Sequence, residues 1–253
     1  MASDPATTTI LFVPGAWHNP HCYDKVIENL KETGYTTELV HLPSVGATVP
    51  VPDTSADISQ IRNQIDRLAA TGQKIIVVAH SYGGLVASEA IQHLDQASRQ
   101  AQSLTGGVTH LFLCCAFIVP EGRSLLAALG GTEPSWFNVS PDRMTVTPID
   151  PVNVFYNDLP EDEARAAVAM LRPHSYRTLH SPCRFAAWRV VPTTYLYCEK
   201  DRAIPLSVQR RMVEETARGC AIRTETLDAA HSPFLSVPGE VADAIRRAAG
   251  MSV

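Results

Sequence analysis

The sequence predicts an α/β protein: a mainly parallel sheet of about six strands with helices on both faces. Three observations carry this expectation. Short β-branched apolar runs recur along the chain, and segments of helical periodicity separate them. One run, Lys74-Ile75-Ile76-Val77-Val78-Ala79, is apolar enough to be covered on both sides. Strands alternating with helices at this spacing imply right-handed crossovers, which place ligand chemistry beyond the carboxyl ends of the strands.

Taken in order, Thr9-Ile10-Leu11-Phe12-Val13 reads as the first strand, ended by Pro14-Gly15. Residues 20–33 follow as a helix with Val26, Ile27 and Leu30 on one stripe, and Gly34 stops it. Thr36 to Leu42 alternates as a second strand, and Pro43, Pro50 and Pro52 mark a loop. Asp53 or Ser55 can cap the next helix, in which Ile58, Ile61, Ile65 and Leu68 recur at three- and four-residue spacing. The run at 74–79 is the third strand, a helix opens at Gly84, and a fourth strand runs from Val108 to Ala116. The rhythm resumes with a strand at Thr193 to Cys198, a helix over 205–218, a strand from Ala221 to Leu227 and a closing helix over 238–249.

Between about Val119 and Val190 the pattern breaks. This stretch holds Pro120, Pro134, Pro141, Pro148, Pro151, Pro160, Pro173 and Pro182, shows no strand signal, and offers one helix from Pro160-Glu161-Asp162 to Leu171. An insertion of that length between two sheet strands is expected to serve function, most often as a cover over a site. The expected division is therefore a core of 1–118 and 191–253 with residues 119–190 inserted as a cap.

Composition narrows the partners. A net charge of −5 and basic residues scattered as Arg210, Arg211 and Arg218 suit a solvated helix face, not a nucleic-acid surface. The amino-terminal Met1-Ala2-Ser3-Asp4-Pro5 has neither a basic region nor an apolar run, and no window reaches the ~18 apolar residues of a spanning helix. Six cysteines show no Cys-x-x-Cys spacing, and Cys114, Cys115 and Cys198 fall within apolar runs. The expectation is a reduced, cytoplasmic protein without membrane attachment. No metal-ligand cluster or phosphate-cradling loop is visible, so neither metal nor cofactor is expected, and a homodimer stays open.

Ala79-His80-Ser81-Tyr82-Gly83-Gly84 sits where a strand ends and a helix begins. A small-x-Ser-x-Gly turn of this kind lifts the hydroxyl clear of the backbone, and the Tyr82 amide points toward any oxyanion formed above Ser81. About one Ser-x-Gly arises by chance in a chain of this length. Ser44-Val45-Gly46, in a proline-rich loop with no strand before it, is that background.

A serine hydroxyl needs a neighbouring base, and nine histidines compete. His231 is the one beyond the last strand, placed to reach the sheet's carboxyl edge, whereas His80 should diverge from its neighbour Ser81. Asp201, immediately after a strand and before a helix, completes the chain order Ser, Asp, His and would fix the imidazole tautomer. Glu199 and Glu121 are topologically possible alternatives. A second oxyanion amide should come from the loop after the first strand, where Ala16 fits and Pro14 cannot serve for lack of an N–H.

These motifs resemble the α/β-hydrolase superfamily across nearly the whole chain, and within it the small methylesterase and hydroxynitrile lyase-like branch with related fungal and bacterial serine hydrolases. Phe12-Val13-Pro14-Gly15-Ala16-Trp17-His18, the Ser81 turn, Cys198-Glu199-Lys200-Asp201-Arg202-Ala203-Ile204-Pro205 and Ala230-His231 carry the likeness. The resemblance implies a mostly helical cap over 119–190. Departures are instructive: Pro14-Gly15 stands where the family often has His-Gly, and Ala79 replaces a glycine. Ser232 follows the histidine where cyanohydrin-cleaving relatives carry lysine, which argues against that chemistry. Aspartate-nucleophile relatives are excluded by Ser81.

The expected activity is cleavage of an ester, thioester or lactone of a small apolar or aromatic substrate through an acyl-enzyme on Ser81. Trp17, His18, Tyr82 and Phe117 should lie near the nucleophile by topology, with Phe155, Tyr156, Trp136 and Trp188 supplied by the cap. Two alternatives stand beside it: a lyase or cyclase using the same three side chains for acid–base chemistry, and a ligand receptor without turnover.

Overall fold

The structure is a computed structural model that describes residues 4–251. Met1, Ala2 and Ser3 of the amino-terminal stretch considered above lie outside the described residues. Strand β1 (Thr8–Val13) leads through a short 3₁₀ turn at Pro20–Tyr23 into α1 (Asp24–Lys31) and then β2 (Thr36–Leu39). Helix α2 (Ser55–Ala70), strand β3 (Lys74–His80), helices α3 (Gly83–Ala90) and α4 (Gln96–Gln100), and strand β4 (Gly107–Cys114) follow. The insertion contributes α5 (Leu125–Ala128), β5 (Phe137–Val139), β6 (Thr145–Pro148), α6 (Pro151–Phe155), α7 (Glu161–Met170) and β7 (His174–Ser175). The chain closes with β8 (Thr193–Cys198), α8 (Leu206–Arg211), β9 (Ile222–Leu227), α9 (Pro233–Ser236) and α10 (Pro238–Ala248).

Six parallel strands form one sheet in the order β2-β1-β3-β4-β8-β9. Alternation along the strands divides the core into two layers. Leu11, Val13, Val77 and Leu113 pack with Ile61 and Ile65 of α2 and Leu85 of α3. Ile10, Phe12, Val78 and Phe112 pack on the other side with Val26 and Leu30 of α1 and Ile245 of α10. Consecutive side chains point to opposite faces of a strand, so a central strand covered on both faces must be apolar at every position. That is why the run at 74–79 was readable.

Several expectations need correction. The second strand ends at Leu39, not Leu42, and the helix over 20–33 is a 3₁₀ turn followed by α1. The helix over 205–218 is α8 followed by a π-helical turn at Met212–Thr216. Asp53 accepts the Ser55 N–H at 2.8 Å, so it terminates the loop before α2 as an Asx turn.

The largest correction is the strandless insertion. Strands β5, β6 and β7 form a three-stranded antiparallel sheet beside the helices. Its hairpin is set by side chains: Ser140 Oγ accepts the Met144 and Thr145 amides, and Asp142 Oδ1 accepts the Met144 amide as well. Main-chain bonds tie this sheet to the loops at the main sheet's carboxyl edge. Ser175 N donates to Ser44 O and Gly46 N to Pro173 O, both at 2.8 Å. Arg172 N donates to Trp17 O at 3.0 Å, and the Trp17 indole N–H donates to Val146 O at 2.8 Å. The insertion therefore lies over the strand ends.

Candidate active site

Ser81 occupies the turn between β3 and α3 with φ +51°, the left-handed region that costs a non-glycine residue about 1–3 kcal/mol. Close approach of neighbours holds it there. Its carbonyl accepts the Gly84 and Phe117 amides, each at 3.0 Å. A Cβ on Gly83 would lie 2.6 Å from Pro14 O, and one on Gly84 would lie 2.7 Å from Phe117 O. Both glycines are thus demanded by backbone crossing beneath the serine.

The structure brings Ser81, His231 and Asp201 into one hydrogen-bonded line. Asp201 Oδ2 accepts from His231 Nδ1 at 2.8 Å, which leaves Nε2 to accept the Ser81 hydroxyl at 3.1 Å. Asp201 is buried, and its other oxygen accepts the Ala203 and Ile204 amides at 2.8 Å each. Gln209 Nε2 adds a bond to Oδ2 at 3.3 Å. These four donors leave neither carboxylate oxygen without a partner and fix the orientation of the side chain. The competing carboxylates do not reach the imidazole: Glu199 is exposed, and Glu121 accepts from Ala186 N and pairs with Arg189.

His80 does more than diverge. Its Nε2 donates to the carbonyl oxygen of His231 at 2.8 Å, and the Cys115 thiol donates to the same oxygen at 3.4 Å. Two strand ends thereby hold the loop that carries His231. Burial pushes His80 far below the ordinary imidazole range, with the neighbouring His231 acting in the same direction. His80 therefore stays neutral beside His231, their ring centroids 4.6 Å apart.

The amides of Ala16 and Tyr82 donate to no acceptor among the described residues, and both residues line the small cavity beside Ser81. Trp17 and Phe117 line it as expected. Others do not. Phe155 is fully buried behind Trp17, stacked on it at 5.6 Å, and Trp188 is buried away from the cavity with Arg189 over its ring. His18 and Tyr156 face a different and larger cavity. The lining missed by sequence reasoning is Leu125, Leu129, Phe137 and Leu179 from the insertion, with Ala203 and Ile204 from the loop after β8, whereas Trp136, named above as a cap aromatic, does line the cavity. Their apolar character was legible, their direction was not.

Also missed was a buried polar network beneath Tyr82. The phenol donates to Asp57 Oδ2 at 2.7 Å, and Asp57 Oδ1 accepts the Ser44 amide at 2.8 Å. The Ser44 hydroxyl meets His174 Nδ1 at 3.4 Å, and His174 Nε2 donates to Thr178 Oγ1 at 2.8 Å. Burial raises the Asp57 carboxyl and pushes His174 down to about 3. The Ser44-Val45-Gly46 stretch, set aside as background, is thus a structural strut of the site.

Two buried groups place potential ligand atoms within 4.8 Å of one another: Cys114, Cys115 and Cys198, and His80, Cys115 and His231. In the second group the His80 and Cys115 donors are spent on the His231 carbonyl. All six cysteines are free thiols. Among the described residues no helix is long and apolar enough to cross a membrane.

A parallel sheet bearing serine, histidine and aspartate in series at its carboxyl edge, with two unengaged amides beside the serine, is the arrangement of an α/β-type hydrolase. The sequence agrees: it matches the alpha/beta hydrolase family over residues 10–244. It is 32% identical over 247 residues to the alpha/beta hydrolase nvfD of Aspergillus novofumigatus, covering 96% of this chain and 97% of that one. It is 24% identical to methylesterase 1 of Arabidopsis thaliana, with 96% of each chain covered. Among solved structures, a pyrethroid hydrolase from Sphingobium faniae superposes with a TM-score of 0.76 at 22% identity, covering 96% of this chain and 97% of that one. The chain belongs to the alpha/beta hydrolase family.

Proposed function

We propose that the protein is a carboxylic ester hydrolase with Ser81 as nucleophile, His231 as general base and acid, and Asp201 as the residue that orients and charges-compensates the imidazole. The carrying observation is the line Asp201–His231–Ser81, with bonds of 2.8 and 3.1 Å. Ser81 Oγ attacks the substrate carbonyl while His231 Nε2 takes its proton. The amides of Ala16 and Tyr82 hold the oxyanion. His231 then returns the proton to the departing alcohol, leaving an acyl-Ser81. Water, deprotonated by the same nitrogen, releases the acid and restores the serine.

Residues 119–190 act in this reading as the cap that excludes water and shapes specificity. The apolar lining by Leu125, Leu129 and Leu179 supports an apolar acyl group. The esterase names of relatives support a carboxylic ester over a thioester or lactone. The test is turnover of a chromogenic short-chain ester by wild type and Ser81→Ala. The variant should lose about a millionfold in kcat, and retained turnover would reject Ser81 as nucleophile.

A further inference from the structure

The cavity at Ser81 measures about 20 Å³, room for one or two water molecules and for no ester. A second cavity of about 380 Å³ lies between the core and α7 of the insertion and does not include Ser81. Two consecutive pairs stand where the linings of the two cavities adjoin. Trp17, at φ +66°, faces the inner cavity, and the next residue, His18, faces the outer one. Across from them Phe155 stacks on Trp17, and the next residue, Tyr156, donates its hydroxyl to His18 Nε2 at 3.1 Å. The stack and the hydrogen bond thus join the neighbouring residues that face the two spaces.

The position of the outer cavity fixes which half of a substrate could use it. A general acid protonates the leaving oxygen, so the leaving alcohol departs on the His231 side of Ser81. Phe155 packs beside His231, its ring centroid 5.5 Å from that of His231 and 5.5 Å from that of His18. The lining also constrains the chemistry. At the rim Lys25 pairs with Glu163 at 3.1 Å, and the Asp24 carboxylate lies 3.3 Å from His21 Nδ1. Ala166, Met170 and Leu235 make the remainder apolar. A neutral apolar group suits such a cleft, and a carboxylate does not.

We propose that the outer cleft receives the alcohol half of the substrate once the Trp17–Phe155 and His18–Tyr156 contacts part, so that preferred substrates are esters of apolar alcohols larger than methanol. This rests on the Ser81 reading above. The ester C–O bond breaks, the acyl group stays on Ser81, and the alkoxide leaves with the proton from His231 as a neutral alcohol into the cleft.

The experiment measures kcat/KM for benzyl acetate and methyl acetate by pH-stat in wild type, Ala166→Trp and Ala169→Trp. The acyl group is held constant, so the ratio reads the alcohol half alone. Ala166 is exposed on α7 at the cleft, and Ala169 is exposed on the same helix outside it. Wild type should prefer the benzyl ester, Ala166→Trp should cut the benzyl-to-methyl ratio by about tenfold or more, and Ala169→Trp should keep the wild-type ratio. An unchanged ratio in Ala166→Trp, with both esters turned over, overturns the cleft assignment and leaves the Ser81 reading standing. No turnover of either ester by wild type overturns the Ser81 reading and the cleft assignment with it.

Discussion

At the scale of single residues, the site is set as much by side chains that are missing as by those present. A Cβ on Gly15 would lie 2.8 Å from His80 Nδ1 and 2.9 Å from Ser81 Cβ, and neither atom has room to yield. Gly15→Ala must therefore push the loop after β1 away from the serine and carry the Ala16 amide with it. The expected result is a kcat loss of about 10²–10³, the cost of one oxyanion donor, with KM changed far less; steady-state kinetics on a short ester decide it. Tyr82 separates two roles within one residue. Tyr82→Phe keeps the amide but removes the donor to buried Asp57. Stability should fall by about 1–3 kcal/mol in urea denaturation, while kcat keeps the order of magnitude that the backbone amide secures. A kcat loss matching that of Gly15→Ala would contradict this division.

At the scale of elements, what the sequence revealed depended on length and cover. Strand β8 was expected at Thr193 to Cys198 and is found there, because an unbroken run of β-branched, aromatic and apolar residues, all buried, ends at a charged loop. The same logic singled out Ser81, Asp201 and His231, which lie past the carboxyl ends of β3, β8 and β9. Strands β5 and β7 span three and two residues, too short for any period to register, and the prolines around them read as loop. Cavity lining was illegible for a related reason: Trp17 and His18 are neighbours in sequence yet face different spaces, a fact held in a backbone angle rather than a residue type. The contact of Trp17 Nε1 with Val146 O joins the β1 loop to β6. Trp17→Phe keeps an aromatic ring, though a smaller one, and deletes that bond, worth about 1–2 kcal/mol when buried, or roughly a 5–30-fold rise in the open population. Limited proteolysis should then cut within 119–190 faster by that order, and unchanged cleavage would show that the indole bond does not fasten the insertion.

At the scale of the whole molecule, the fold imposes a direction on acid stability. Burial pushes His18 and His110 down to about 4 and His174 to about 3, and His80 lower than its ordinary range as well. A histidine whose folded value is depressed binds fewer protons folded than unfolded between that value and about 6.5. Its contribution is fully present above about 6.5 and is lost as pH falls toward the folded value. Between pH 7.5 and 5.5 each such group should cost roughly 1 kcal/mol. Glu89 works the other way. Burial raises its carboxyl to about 7, so it favours the folded state most below about 4.5 and loses that contribution as pH rises through 7. Burial raises the Asp57 carboxyl in the same direction as Glu89. Four histidines outweigh these two carboxyls, and the molecule should be less stable at pH 5.5 than at pH 7.5. Urea denaturation at the two pH values tests the balance residue by residue. His110→Gln, at a half-buried site on β4 bonded to Thr194 Oγ1, should shrink the acid loss by about one histidine's share, and Glu89→Gln should deepen it. Wild-type stability that is level or rises on acidification would show that these imidazoles protonate without leaving their pockets, and that burial is not what governs the pH response.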